Sequence, residues 1–426
     1  MGNNLVKIGK PYTTMNDGYA RLCAEIDLNG EKKVYYYQVD EKWGKYLTVE
    51  YSDPFVLAVI KKAMKHSWDI SYETPMSEDL YYQLTTYLIP VYARNLQIFH
   101  EIKLLGSTTD TVVDTLGVAG TGFSAGVDSF YSVLKHRSVD GAPNHNVSHL
   151  VLAVNGAANT GYSENLDEKW LSEELELFQP LADEMGLELI GIRSNVDSMY
   201  FGDPALNGEV IITSSFVHSL RKLFGIYYWA SAFQAEILDP PEAADGPGSG
   251  SLPTTYVSVK GLRFYASGSE TDRIGKVKFI ADEPVVQKGL TVCGHVKSCN
   301  RCDKCLRTMS ELYAIKKLDL YSNIFDIADF KKHLTSRLAE EFIVDREHET
   351  FIKEIKREMR CNGIRIPFTV YLKQYLIYYP YTVLKEKLRK VTWVRKLYYK
   401  FDLDEKIGGA KQDEEMRQIR LTGKGK

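Results

Sequence analysis

The pattern of apolar and polar positions defines some elements of this chain sharply and leaves others open. Two alternating segments, residues 20–28 (ARLCAEIDL) and 31–39 (EKKVYYYQV), flank Asn29-Gly30, a dipeptide that supplies the two left-handed residues of a type I′ turn. They predict a β-hairpin. Residues 47–51 predict a further strand, and residues 53–66 a short helix whose apolar side carries Phe55, Val56, Ala58, Val59, Ile60 and Ala63. Residues 77–104 are rich in Tyr and Leu without a clean period, and 98–105 (IFHEIKLL) end that stretch as strand.

Beyond Thr111 short apolar runs alternate with helical patterns, the signature of an α/β fold with a parallel sheet. Residues 116–123 predict a strand, 128–136 a helix, 148–154 a strand, 164–186 a long amphipathic helix and 187–192 a third strand. These make two consecutive βαβ units. Residues 214–233 predict an aromatic-rich helix, the Pro, Gly and Ser of 239–253 a loop, and residues 256–267 renewed strand. The remainder is charged and helical. The expected organisation is an N-terminal α+β domain over 1–112, a parallel-sheet domain over 113–290, a four-cysteine segment over 291–315 and a helical, basic region over 316–426.

Composition narrows the class. With 426 residues, 44% of them hydrophobic and 26% charged, the chain can bury two or three cores, which excludes disorder and collagen. A net charge of −3 argues against a protein that coats nucleic acid. No apolar run reaches the ~18 residues of a membrane span and the N-terminus has no signal-like stretch, so the expected location is cytoplasmic. Four of the six cysteines crowd into one segment, a metal-site distribution rather than a disulfide framework.

Candidate chemistry begins at Ser124, Ala125, Gly126, Val127, Asp128 and Ser129, a small-residue turn between a strand and a helix. Small residues let backbone approach a ligand, and the helix N-terminus offers unpaired N–H groups to phosphate. Ser124 and Ser129 add hydroxyls, and Asp128 makes sense beside an anion if it holds Mg²⁺. Two other readings stand beside this one. Asp128 or Ser129 could simply cap a helix, and residues 120–125 fit a G-x-G-x-x-A dinucleotide pattern with Asp140 beyond it.

The second cluster is Cys293, Cys299, Cys302 and Cys305. Four thiolates at these spacings can close around one tetrahedral Zn²⁺ with no open position, which is structural rather than catalytic; an iron–sulfur cluster is the minor alternative. His295 could replace one cysteine, although a solvated histidine is the commoner case.

FSAGVDSF resembles the S-G-G-x-D-S loop of the PP-loop ATP pyrophosphatases, AMP-forming enzymes that cleave ATP between its α- and β-phosphates. It departs from the family at Ala125, where glycine is usual. SCNRCDKCLRTM is similar to the zinc segment that follows this loop in the 7-cyano-7-deazaguanine synthases and in synthase-like relatives, some of them associated with bacterial antiviral defence. The resemblance covers residues 116–312 and leaves the N-terminal and C-terminal regions outside it. It implies ATP, Mg²⁺ and Zn²⁺ as cofactors, with Asp128 and Ser129 catalytic and residues 124–129 binding the nucleotide. It also implies attack of a carboxylate or amide oxygen on the α-phosphorus, followed by a nitrogen nucleophile. Neither Cys23 nor Cys361 sits in a glutaminase-like setting, so nitrogen would arrive free or from a partner.

Ligands of open α/β sheets bind beyond the carboxyl ends of strands, which adds Asn155, Gly156, Arg193, Ser194 and Asn195 as candidates. Turn chemistry is the competing use of the two asparagines. Residues 267–269, Arg273 and Lys276 could face the same ligand, although such basic residues are more often merely surface, and His218 is more readily a satisfied core or surface histidine. The Tyr-rich residues 371–381 and the basic run after them could bind a polynucleotide, but packing and a solvated face are the commoner uses; membrane-surface docking ranks lower still. The expected partners are therefore ATP and an unidentified carboxylate or amide acceptor, with a protein partner open to the terminal regions. The rivals are a tRNA-modifying enzyme of the same fold and a non-catalytic nucleotide-binding subunit of an assembly.

Overall fold

Thirteen strands organise the computed structural model, which describes residues 4–154, 164–200, 209–232, 234, 251–293, 298–342, 349–381 and 383–384. In chain order they are β1 (Leu5–Ile8), β2 (Tyr12–Asn16), β3 (Tyr19–Leu28), β4 (Glu31–Asp40), β5 (Asp69–Tyr72), β6 (Met76–Ser77), β7 (Leu104–Leu105), β8 (Thr108–Thr109), β9 (Val118–Gly122), β10 (Val147–Val154), β11 (Glu188–Ser194), β12 (Phe224–Ala230) and β13 (Arg263–Ser267). Contacts group the chain into two units. The first comprises residues 1–124 and 132–271, and the second residues 125–131 and 272–426.

All strands belong to the first unit. Eleven form one sheet in the order β13-β12-β9-β10-β11-β4-β3-β1-β5-β7, with β2 paired to β3. From β13 to β11 every pairing is parallel, as the two βαβ units require. The N-terminal strands, expected to form a separate domain, continue the same sheet instead. The join is an antiparallel pairing of β11 with β4, Ile192 opposite Val39 and Ser194 opposite Tyr37. Asn29 and Gly30 both take positive φ, 55° and 108°, and the turn sets Leu28 opposite Glu31.

Helix Asp53–His66 starts with proline in its first turn and buries every residue from Asp53 to Lys61, packing against helix Glu209–Ser219. These helices cover one large core of the sheet that includes Tyr37, Phe55, Phe216 and Phe224. Helix Glu164–Met185 packs on β10 and β11, where a Cβ at Gly191 would stand 2.8 Å from Leu175 Cδ1. Among the described residues no helix is long and apolar enough to cross a membrane.

Four expected elements differ, and of the strand expected over 256–267 only Arg263–Ser267 forms. Residues 47–51 pair with no strand, and of residues 98–105 only Leu104–Leu105 does. The aromatic helix expected over 214–233 ends at Ser219, and β12 follows. Phe224-Gly-Ile-Tyr-Tyr-Trp-Ala lies between two parallel neighbours, buried on both faces, where an unbroken aromatic and β-branched run is what a strand requires. Most of the 239–253 loop lies outside the described residues, although Ser251–Tyr256 forms a short helix.

One buried ion pair crosses this unit. Asp53, 1% exposed, accepts from the Ser77 amide at 2.9 Å, from the Ser77 hydroxyl and from Arg221 Nη1 at 3.0 Å. Burial pushes the Asp53 carboxyl up from its ordinary value, and Arg221 and Ser77 work against that rise. Arg221 also donates to Lys260 O at 2.9 Å and lies 4.3 Å over the Tyr51 ring. His218, the expected core histidine, is held there: its Nε2 donates to Val257 O at 2.9 Å, and burial first, then Arg221, lowers its pKa to about 3. Removing the arginine would leave a buried carboxylate without its cation. Arg221→Ala should therefore cost about 3–5 kcal/mol in denaturant unfolding of the full chain, whereas exposed Arg263→Ala should cost well under ~1 kcal/mol.

Candidate functional site: the 124–129 loop and the four-cysteine cluster

β9 is the strand from which the parallel order runs both ways, to β10 on one side and β12 on the other. Ligands of such sheets gather beyond the carboxyl end at this switch point, and the chain leaves β9 directly into residues 123–126. Helix Val127–Lys135 follows, its first internal bond running from Phe130 N to Gly126 O at 2.9 Å. The N–H groups before Phe130 have no acceptor within the helix. Ser129 is buried and donates its hydroxyl to Gly126 O at 3.0 Å; Ser124 is exposed.

Ala125 holds φ at +51° with its methyl fully buried. Left-handed geometry is free for glycine and costs alanine roughly 1–2 kcal/mol. The conformation is fastened by Ala125 O, which accepts from Thr291 N at 2.8 Å. Thr291 lies two residues before Cys293, so the segment that enters the cysteine cluster also ties the loop.

Asp128 does not stand alone at the helix start. Its Oδ2 accepts from Arg273 Nη1 at 2.8 Å and its Oδ1 from Lys276 Nζ at 3.1 Å. Both cations project from helix Arg273–Ile280, whose N-cap Asp272 accepts from Gly275 N at 2.7 Å. Lys276 is fully buried and the Asp128 side chain 26% exposed. Behind Arg273 lies Glu311, 0% exposed, accepting from its Nε at 3.2 Å. Burial works against the Arg273 charge, but Glu311 and then Asp128 outweigh it and raise its pKa. Burial likewise raises the Glu311 pKa, with Arg273 and Arg307 opposing.

From sequence Arg273 and Lys276 could neutralise charge, with a plain surface role the commoner use, whereas no spacing marks Glu311 at all. It lies on helix Asp303–Ala314, whose N-cap is Cys302 and whose first turn carries Cys305. Glu354, also without a motif, accepts from Ile274 N at 3.2 Å.

The four cysteine Sγ atoms all lie within 4.8 Å of one another, and Cys299 and Cys305 are 3.8 Å apart. A tetrahedral thiolate site with bonds of ~2.3 Å needs sulfurs ~3.8 Å apart, so the geometry fits one ion with four protein ligands. Cys299 N points to Cys293 Sγ at 3.4 Å and Cys302 N to Cys299 Sγ at 3.3 Å. Such N–H groups favour thiolate over thiol. Asn300, at φ +62°, makes the turn and ties it to Asp326 N at 2.9 Å. Among the described residues this is the single cluster of His, Cys, Asp or Glu side chains placed to hold a metal. His295 lies outside them, as do Asn155 and Gly156.

At the end of β11 and just beyond it, the expected nucleotide contacts bond to the sheet. Asn195 Oδ1 accepts from Tyr36 N at 2.9 Å and its Nδ2 donates to Val34 O at 3.0 Å. Ser194 Oγ donates to Tyr36 O, and Arg193 Nη2 to Gln38 Oε1 at 3.1 Å. This is turn and edge chemistry that fastens β11 to β4.

No protein-family model, curated protein or solved structure matches this chain.

Two outcomes follow. Elemental analysis should find about one thiolate-bound metal ion per chain, as a four-ligand site holds one, and Cys302→Ser should release it and lower the melting temperature. Burial, then Asp272, raises the Glu354 pKa from 4.5 to about 7. A carboxyl whose folded pKa is raised contributes stability that is full below pH 4.5 and lost as pH rises through about 7. Glu354→Gln should therefore flatten the fall in melting temperature between those limits.

Proposed function

We propose that this chain is an ATP-dependent, AMP-forming ligase of the PP-loop kind, resembling the 7-cyano-7-deazaguanine synthases. The observation that carries the reading is the pairing of Asp128, at the start of a helix that follows the switch-point strand, with Arg273 and Lys276. An acid poised for Mg²⁺, two cations and first-turn N–H groups are the donor set that a triphosphate requires.

In this reading Mg·ATP lies on residues 124–129. A substrate carboxylate or amide oxygen forms a bond to the α-phosphorus, the bond to the β-phosphate oxygen breaks, and pyrophosphate leaves with its electron pair. Asp128 would hold Mg²⁺, which would supply charge neutralisation at the polyphosphate, and Arg273 and Lys276 beside it would neutralise the departing charge. A nitrogen nucleophile then attacks the adenylate carbon, AMP leaves, and the nitrogen gives up its proton to solvent. Zinc held by Cys293, Cys299, Cys302 and Cys305 would supply no step; it would fix the segment that carries Thr291 and the helix that carries Glu311.

One observation favours a second reading, a nucleotide-binding subunit without catalysis: the buried methyl of Ala125 occupies the turn where the family has none.

Purified, zinc-replete protein given Mg·ATP, ammonium and candidate carboxylates should release AMP and pyrophosphate in equal amounts. Asp128→Asn should reduce the rate about 100-fold or more. ATP bound without AMP across acceptors would favour the second reading, and absence of ATP binding would reject both.

A further inference from the structure

Among the described residues, the sheet of the first unit has one edge that nothing blunts. The strand path ends on β13, which carries Arg263, and on β7, only two residues long, and charged or short strands are the usual protection of an edge. β2 lies off that path, paired to β3 alone. Its residues, Tyr12, Thr13, Thr14, Met15 and Asn16, include no charge and no proline, and every one is exposed. Tyrosine and threonine favour the extended backbone, so the segment stays a strand with one side of its main chain open.

Which groups face outward follows from the hairpin. Asp17 and Gly18, at φ 48° and 80°, make a two-residue turn that sets Asn16 opposite Tyr19. A turn of this length closes on a pair that exchanges both hydrogen bonds, and such pairs alternate along an antiparallel ladder. Asn16, Thr14 and Tyr12 therefore bond to Tyr19, Arg21 and Cys23, and the N–H and C=O groups of Thr13 and Met15 point away from β3. Among the described residues no backbone group meets them. Such an edge dictates the chemistry of what covers it, since only another extended strand supplies donors and acceptors at the same spacing.

The ends of β2 say which strand. Lys10 precedes it and Asp17 follows it, both exposed, so the edge is neutral along its length and oppositely charged at its two ends. An antiparallel second copy with Thr14 on a two-fold axis sets Thr13 of each chain opposite Met15 of the other, and every outward N–H and C=O finds its partner. Other registers leave groups unmet. Thr13 on the axis sets Met15 opposite Pro11, which has no N–H, and Met15 on the axis sets Thr13 opposite Asp17, which has already left the strand. In the Thr14 register Lys10 of each chain falls beside Asp17 of the other, an ion pair at either end with no like charges opposed. The two-fold uses up both edges, so the pairing closes as a dimer rather than growing into a fibre.

We infer that β2 is a dimerisation edge, at which two copies of this chain join their sheets antiparallel about an axis through Thr14. The inference is independent of the reaction proposed above, since it uses none of the residues near Asp128. A junction of this length belongs with weak, transient interfaces, so monomer and dimer exchange with concentration.

The test is sedimentation velocity of the full chain from ~1 to ~200 μM, the range in which a weak interface populates both species. The sedimentation coefficient should rise with concentration to that of a dimer, and hydrogen exchange at the Thr13 and Met15 amides should slow in step with it. Thr13→Lys with Met15→Lys, on exposed positions, sets lysines opposite one another across the axis and should leave a monomer with the wild-type thermal transition. Lys10→Glu, outside the strand, should weaken association about threefold or more by placing like charges at both ends. It carries the test alone should the double variant fail to fold. A chain that stays monomeric throughout the range overturns the inference, as does a dimer that either folded variant leaves unchanged. So does a monomer whose Thr13 and Met15 amides are protected only by an added extended peptide, which would assign the edge to a different occupant.

Discussion

The second unit depends on a carboxylate that water never touches. Glu311 is fully buried, and an ion there survives only if a cation meets it with good geometry. Arg273 does so through Nε, which fixes the plane of its guanidinium and leaves Nη1 aimed at Asp128. The arginine is thus pre-organised from behind. Glu311 lies about two turns along the helix that Cys302 caps and Cys305 enters, so whatever fixes the cysteines fixes the register of that helix and, through Glu311 and Arg273, the orientation of Asp128. Thr291, just ahead of Cys293, reaches the loop by a second route through Ala125 O. Two connections, one of side chains and one of backbone, make the cysteine cluster part of the loop's support.

The first unit uses the same device for a different end. Asp53 and Arg221 are equally withdrawn from water and far apart in sequence. Their partners, Ser77, Lys260 O and Tyr51, come from separate connections around the large core. A pair of this kind adds little net stability compared with apolar packing, but it penalises any arrangement in which one partner lacks the other. The two buried arginines differ in what lies beyond them. Arg221 ends in backbone and an aromatic ring, whereas Arg273 ends in a partly exposed carboxylate.

What the sequence discloses is what local physics decides. Asn29-Gly30 fixes its turn through two φ angles, and the cysteine spacing fixes a ligand set within thirteen positions, so both are readable without the fold. The run Phe224–Ala230 is not, since a segment buried on both faces shows neither a period of two nor one of 3.6. Nor is the union of the N-terminal strands with the parallel sheet. The β4–β11 join rests on Asn195, Ser194 and the Gln38–Arg193 contact, polar groups whose partners lie more than a hundred residues away. Glu311 is the extreme case: among Met309, Leu312 and Ala314 a glutamate reads as a surface interruption until Arg273 is seen to meet it.

Ala125 draws these threads together. A left-handed alanine persists only where its surroundings over-determine it, and here they do: the methyl is buried, the carbonyl is held by Thr291, and the helix begins two residues later. Glycine would relieve the strain but loosen the loop, because it gains more freedom in the unfolded chain and fills less of the site. Alanine therefore exchanges room beside the helix N-terminus for rigidity. The loop is thereby held stiff, its acid aligned with two cations, and part of what holds it is the segment that leads into the cysteines.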